Sequence, residues 1–165
     1  MRRLNLPASV AAIVLVAASA SARAEHAKVH LEVSAPGVQE VAFVDQTPPE
    51  YGKNPRPVLK VKAGDPIKVM WTFENIYPHK TLENVVVHFF VARQDKVGQK
   101  PLPRLDDDVL HESAFDMDFK PGRKAGSRMT LRIDTPGVYL VRAESKETQS
   151  DHEHFAAIDL VVEKP

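Results

Sequence analysis

Apolar residues recur in this chain at every second position, in short runs that Gly, Pro and Asp interrupt before any run reaches the length of a helix. Successive side chains of a strand point to opposite faces, so alternation of this kind marks strands with one buried face. Val29, Leu31 and Val33 alternate with His30 and Glu32, and Ala35-Pro36-Gly37 turns the chain into a second run from Val38 to Val44. After a proline-rich loop from Gln46 to Pro57, Leu59 and Val61 lead to the turn Ala63-Gly64-Asp65-Pro66. Ile67, Val69, Trp71 and Phe73 then define the inward face of a core strand. The run from Val85 to Val91 is apolar on both sides except at His88, as expected of a central strand covered on both faces. A polar excursion from Gln94 to Asp108 precedes an extended segment from Val109 to Phe119, which Lys120-Pro121-Gly122 closes. Met129, Leu131 and Ile133, then Tyr139, Val141 and Ala143, then Ile158, Leu160 and Val162 supply the last inward faces. Many short strands with no helical period between them predict an all-β fold, a single antiparallel β-sandwich.

The N-terminus has a different character. Arg2 and Arg3 precede an apolar stretch from about Ala8 to Ala18, and Ala22-Arg23-Ala24 supplies the small-x-small pattern of a signal peptidase site. Residues 1–24 therefore read as a signal peptide and 25–165 as the sandwich domain, secreted or periplasmic. The apolar stretch is shorter than the roughly 18 residues of a membrane span, so no span is expected. The chain holds 22 Lys and Arg against 22 Asp and Glu, and loss of Arg2, Arg3 and Arg23 with the leader leaves 19 against 22. No basic stripe with interleaved aromatics appears, which argues against nucleic acid as a partner. The chain has no Cys. Disulfides, thiol catalysis and thiolate metal sites are excluded together.

Two stretches resemble known families. Val61 to Trp71, followed by Asn75 and Tyr77-Pro78-His79, resembles the strand and first-histidine loop of cupredoxins. The segment from Pro136 to Ala143, with a His-bearing loop before the last strand, resembles their C-terminal ligand hairpin. Asp134-x-x-Gly137-x-Tyr139 is similar to the tyrosine corner of immunoglobulin-like domains, with Trp71 as the core Trp of a central strand. Either resemblance implies a Greek-key sandwich, immunoglobulin-like or cupredoxin-like. Ala143 stands where the cupredoxin pattern places its copper-ligating Cys, so blue-copper electron transfer is excluded.

Catalysis has no positive support. No G-x-S-x-G elbow occurs, and Ser150-Asp151-His152 are chain neighbours that cannot face one another as a triad. The expected role is that of a non-catalytic binding or interaction module without a cofactor. It would meet a protein or small ligand at a loop end, where Tyr77, His79 and Lys80 combine aromatic area, stiff backbone and polar reach. The alternative is a non-blue copper or zinc site, because His152 and His154 lie two apart and would point the same way from a hairpin tip, with His79 as third ligand. Asp106-Asp107-Asp108 lacks the spacing of a calcium loop. His88 reads as a core histidine bonded to a backbone carbonyl, and Met70, Met117 and Met129 as core packing.

Overall fold

The structure, a computed structural model, describes residues 27–44, 56–146 and 154–165. Nine strands form two sheets. β1 (Ala27–Ala35), β2 (Val38–Val44), β4 (Ile67–Asn75) and β7 (Lys124–Leu131) make a four-stranded sheet in the order β2-β1-β4-β7. β3 (Val58–Lys62), β5 (Leu82–Gln94), β6 (Val109–Phe119), β8 (Gly137–Lys146) and β9 (His154–Glu163) make the other, in the order β3-β9-β8-β5-β6. All pairs are antiparallel except β3 with β9. The single helical turn α1 (Leu105–Asp108) closes the excursion between β5 and β6. Among the described residues no helix is long and apolar enough to cross a membrane.

The inward faces are those the alternation marks. Leu31, Val33, Ile67, Val69, Trp71, Phe73, Phe89, Tyr139, Val141, Ile158 and Leu160 are buried in one core between the sheets. Trp71, on β4 between β1 and β7, stacks on Phe89 at 6.1 Å and on Phe115 at 5.9 Å, and Phe73 meets Phe119 edge-on at 4.6 Å. Burial of side chains this large supplies about 1.5–3 kcal/mol each. The tyrosine corner is present: buried Tyr139 donates its hydroxyl to the Thr135 carbonyl at 2.7 Å, tying β8 to the turn before it. Met117 and Met129 pack against the core, but Met70 is 39% exposed on the outer face of β4, contrary to its reading as core. Position 70 carries an even number in a strand whose odd positions face inward, so alternation sends it out.

The outer face of the five-stranded sheet is also largely covered. Phe90, Ala92, Leu140 and Ala157 form a second apolar cluster there, with Leu105 of α1 and Phe155 packed against it. Buried Asp159 holds that side together, accepting from Gln94 Nε2 at 2.9 Å and from the Gly98 amide at 2.6 Å. It also pairs with Arg56 Nε at 2.9 Å, while Arg56 Nη2 donates to the Gln99 carbonyl at 2.8 Å. The polar excursion after β5 is thereby fastened to the sheet.

A loop end framed by Asn75 and backed by an ionic cluster

Strand register decides where the loops meet. Val86 of β5 lies opposite Lys146 of β8, and Ser145 opposite His154 of β9. The start of β5, the end of β8 and the start of β9 therefore share one end of the sandwich. Asn75 Nδ2 donates to the Phe119 carbonyl, and Phe119 lies opposite Leu82 at the start of β5, which places the end of β4 and, with Ala27 opposite Asn75, the start of β1 there too. The loop 76–81 and the turn 120–123 consequently belong to the same end as the start of β9.

Asn75 builds this end. It is fully buried, and its Nδ2 donates to the Lys80 carbonyl at 2.9 Å and to the Phe119 carbonyl at 2.7 Å. Its Oδ1 accepts the Tyr77 amide at 2.8 Å, a turn that Asn favours because its side chain mimics a backbone carbonyl two residues ahead. Its own amide donates to the Arg123 carbonyl at 3.1 Å, and its carbonyl accepts from Gly122 at 2.9 Å. Gly122 takes a φ of +70°, a region that favours glycine. One buried residue, through its side chain and its main chain together, thus fixes loop 76–81 onto turn 120–123. Asn84, at φ +54°, forms the bulge where β5 enters the sheet, and its amide donates to Asp118 Oδ1 at 2.9 Å.

His79 and Lys80 are exposed on this framed loop, Tyr77 is half-buried, and Lys120 and Arg123 are exposed on the adjoining turn. His152 lies outside the described residues. His154 is the first residue of β9 and is fully buried; it stands in the interior rather than at an exposed hairpin tip. It shares the inward face of Ala156 and Ile158, the period-two consequence of its place in the strand. Among the described residues, no three His, Asp or Glu side chains gather in a manner that would hold a metal ion.

Behind the loop end, on the outer face of β5, β6 and β8, lies an ionic cluster. His88 does not meet a backbone carbonyl in the core. It faces outward with Phe90, its Nδ1 3.0 Å from Glu144 Oε1 and its Nε2 2.8 Å from Glu112 Oε1. Both contacts are hydrogen bonds to ionised carboxylates only when the ring carries both protons. Arg142 Nε donates to Glu144 Oε2 at 2.5 Å, and its guanidinium lies 3.9 Å from the centroid of the Phe155 ring. Lys146 Nζ reaches Glu144 Oε1 at 3.3 Å. Burial pushes the Glu144 carboxyl up, but Arg142, His88 and Lys146 outweigh it and hold the group below the usual carboxylate range. A carboxylate held by three donors is a structural anion and a poor proton acceptor.

Asn75 entered the sequence reading as part of the stretch that resembles the first-histidine loop of cupredoxins and not as a structural anchor, although Asn-x-Tyr is a local turn signal. Arg142 and Glu144 were missed, and their signal is weak: two charges, two apart, on the far face of a strand whose inward face is apolar.

No family model matches the chain, and neither does any curated protein. Among solved structures, the chain is similar to a family 123 glycoside hydrolase from Clostridium perfringens, at 9% identity and a TM-score of 0.41, over 67% of this chain and 23% of that one. It is also similar to the C-terminal domain of Wzt, at 13% identity and a TM-score of 0.42, over 82% of this chain and 71% of that one. Neither description names a cupredoxin or an immunoglobulin domain. Likeness at this level carries no argument about family or activity. What the fold itself defines is a two-sheet, almost entirely antiparallel β-sandwich.

Proposed function

We propose that this chain is an exported, non-catalytic interaction module whose working surface is the Asn75-framed loop end. The observation that carries the reading is the pair of Asn75 Nδ2 bonds to Lys80 and Phe119, which hold Tyr77, His79 and Lys80 on a fixed frame. A preorganised loop forgoes ordering entropy on binding, which favours recognition. Lys80, Lys120 and Arg123 make the rim basic, so the complementary surface is acidic. The tyrosine-corner bond supports the immunoglobulin-like side of the sequence resemblance. The test is the triple variant Tyr77→Ala, His79→Ala, Lys80→Ala, compared with wild type for melting temperature and for recovery of the native complex by affinity purification. Unchanged melting with loss of the complex supports the reading; retention of the complex by a folded triple variant rejects it.

A second reading is a copper or zinc site using His79, His152 and His154, supported by the placement of His79 and His154 at the same end of the sandwich. Ligation through buried His154 requires the ion to enter the end of the sandwich. Calorimetric titration with Cu(II) and Zn(II) of wild type and of the His152→Ala, His154→Ala variant distinguishes the two. Stoichiometric binding lost in the variant, and weakening as pH falls through about 6.5, is the outcome of the metal reading. Equal weak binding by both leaves the interaction module.

A further inference from the structure

The sandwich has two unpaired strand edges on one flank, β6 and β7, and their charges are segregated. β6 carries Glu112, Asp116 and Asp118 and no Lys or Arg, whereas β7 carries Lys124 and Arg128 and no acid. The two strands end the sheet orders β3-β9-β8-β5-β6 and β2-β1-β4-β7. They lie on the same flank, because β1 and β2 pack over β9 and β3 at the other. Glu112, Ala114 and Asp116 stand exposed on the outer face of β6, and Lys124, Gly126 and Arg128 exposed on the outer face of β7. Among the described residues no strand pairs the free edge of either.

We infer that a second copy of this chain docks on this flank by a two-fold axis parallel to the strands, each β7 pairing antiparallel with β6 of the partner subunit. Such an axis brings an outer face of one sheet into line with the outer face of the other sheet of the partner. Directly opposite residues of an antiparallel pair share a face. The register that sets Gly126 against Ala114 of the partner subunit also sets Arg128 against Glu112 of the partner subunit and Lys124 against Asp116 of the partner subunit. Two small residues at the centre permit close approach, and opposite charges flank them. Glu112 uses Oε1 on His88, which leaves Oε2 for the guanidinium. Lys124 already meets Glu74 at 3.0 Å on its own chain, so Arg128 is the stronger anchor. The alternative two-fold, with β6 against β6 and β7 against β7, opposes acid to acid and base to base, and is disfavoured by the same charges.

Shape agrees with charge. Trp71 of β4 stacks on both Phe89 of β5 and Phe115 of β6, so β4 lies above those two strands and β7 projects one strand spacing, about 4.8 Å, beyond it. The projecting β7 edge of each copy meets the recessed β6 edge of the other. The inference stands independently of what the loop end binds. Because the axis preserves strand direction, it also places both loop ends on the same side of the dimer, a bivalent arrangement.

Sedimentation analysis of the purified chain across a dilution series, at low salt and in about 0.5 M NaCl, tests the inference. The expected result is a monomer–dimer equilibrium weakened by salt, and weakened about tenfold or more by Arg128→Glu. Restoration is expected in the Arg128→Glu, Glu112→Arg double variant. Amide exchange supplies a readout that needs no variant: protection of β6 and β7 should rise with concentration. A monomer at every concentration, a dimer indifferent to Arg128→Glu, or concentration-dependent protection confined to β2 and β3 overturns it.

Discussion

Glu144 is stabilised as an anion deep in a sheet face by three cationic or donor groups, and this sets what its replacement will do. Removing the carboxylate leaves Arg142 without its anion and His88 with Glu112 alone; Glu144→Ala is expected to cost about 3–5 kcal/mol in urea denaturation. Arg142→Met should also be costly, and the Arg142→Met, Glu144→Leu pair should cost clearly less than the sum, because no lone charge then remains. Additive losses would show that the two side chains act separately. The depressed carboxyl gives the pH dependence its sign: its contribution is present above the ordinary carboxylate pKa of about 4.3 and disappears as pH falls through the lower folded-state value. Glu144→Gln should therefore flatten the acid limb of the stability curve. Tyr139→Phe, which removes the hydroxyl bond to the Thr135 carbonyl, is expected to cost about 1 kcal/mol. The tyrosine corner was legible in the sequence because its partners lie four residues apart. The bond between His88 and Glu144 was not, because 56 residues separate them and only strand pairing brings them together.

Strands give up their faces to simple counting but conceal their neighbours. The alternation at Ile67, Val69, Trp71 and Phe73 identified the inward face of β4, and Trp71→Ala should lower stability by about 3–5 kcal/mol by emptying the volume between Phe89 and Phe115. Whether the loops after β4 and β8 share an end depends on the register of β5 against β8, which alternation cannot supply. Asn75 makes that end testable as an element. Asn75→Ala removes the donor to two carbonyls and the acceptor of one amide, with an expected cost of about 1–3 kcal/mol. Amide exchange should accelerate in 76–81 and 120–123, while the centres of β5 and β8 stay protected. Uniform acceleration across the sandwich would deny Asn75 its local role. Gly126 is a second constraint at this scale: a Cβ there would approach the Trp71 carbonyl oxygen at an impossible distance, so Gly126→Ala must displace β7 from β4.

At the scale of the whole molecule, the sandwich separates its duties. The core between the sheets and the ionic and apolar layer outside β5 and β8 hold the fold. In the proposed reading, the Asn75-framed loops with their basic rim are the surface that meets a partner. The most direct test of that division is site-specific photo-crosslinking in the source cell, with a benzoylphenylalanine placed at position 79 or at position 97 on the opposite end. A discrete adduct from position 79, lost with Tyr77→Ala and Lys80→Ala and absent from position 97, is the predicted result. No adduct from position 79, or equal adducts from both ends, would contradict the account.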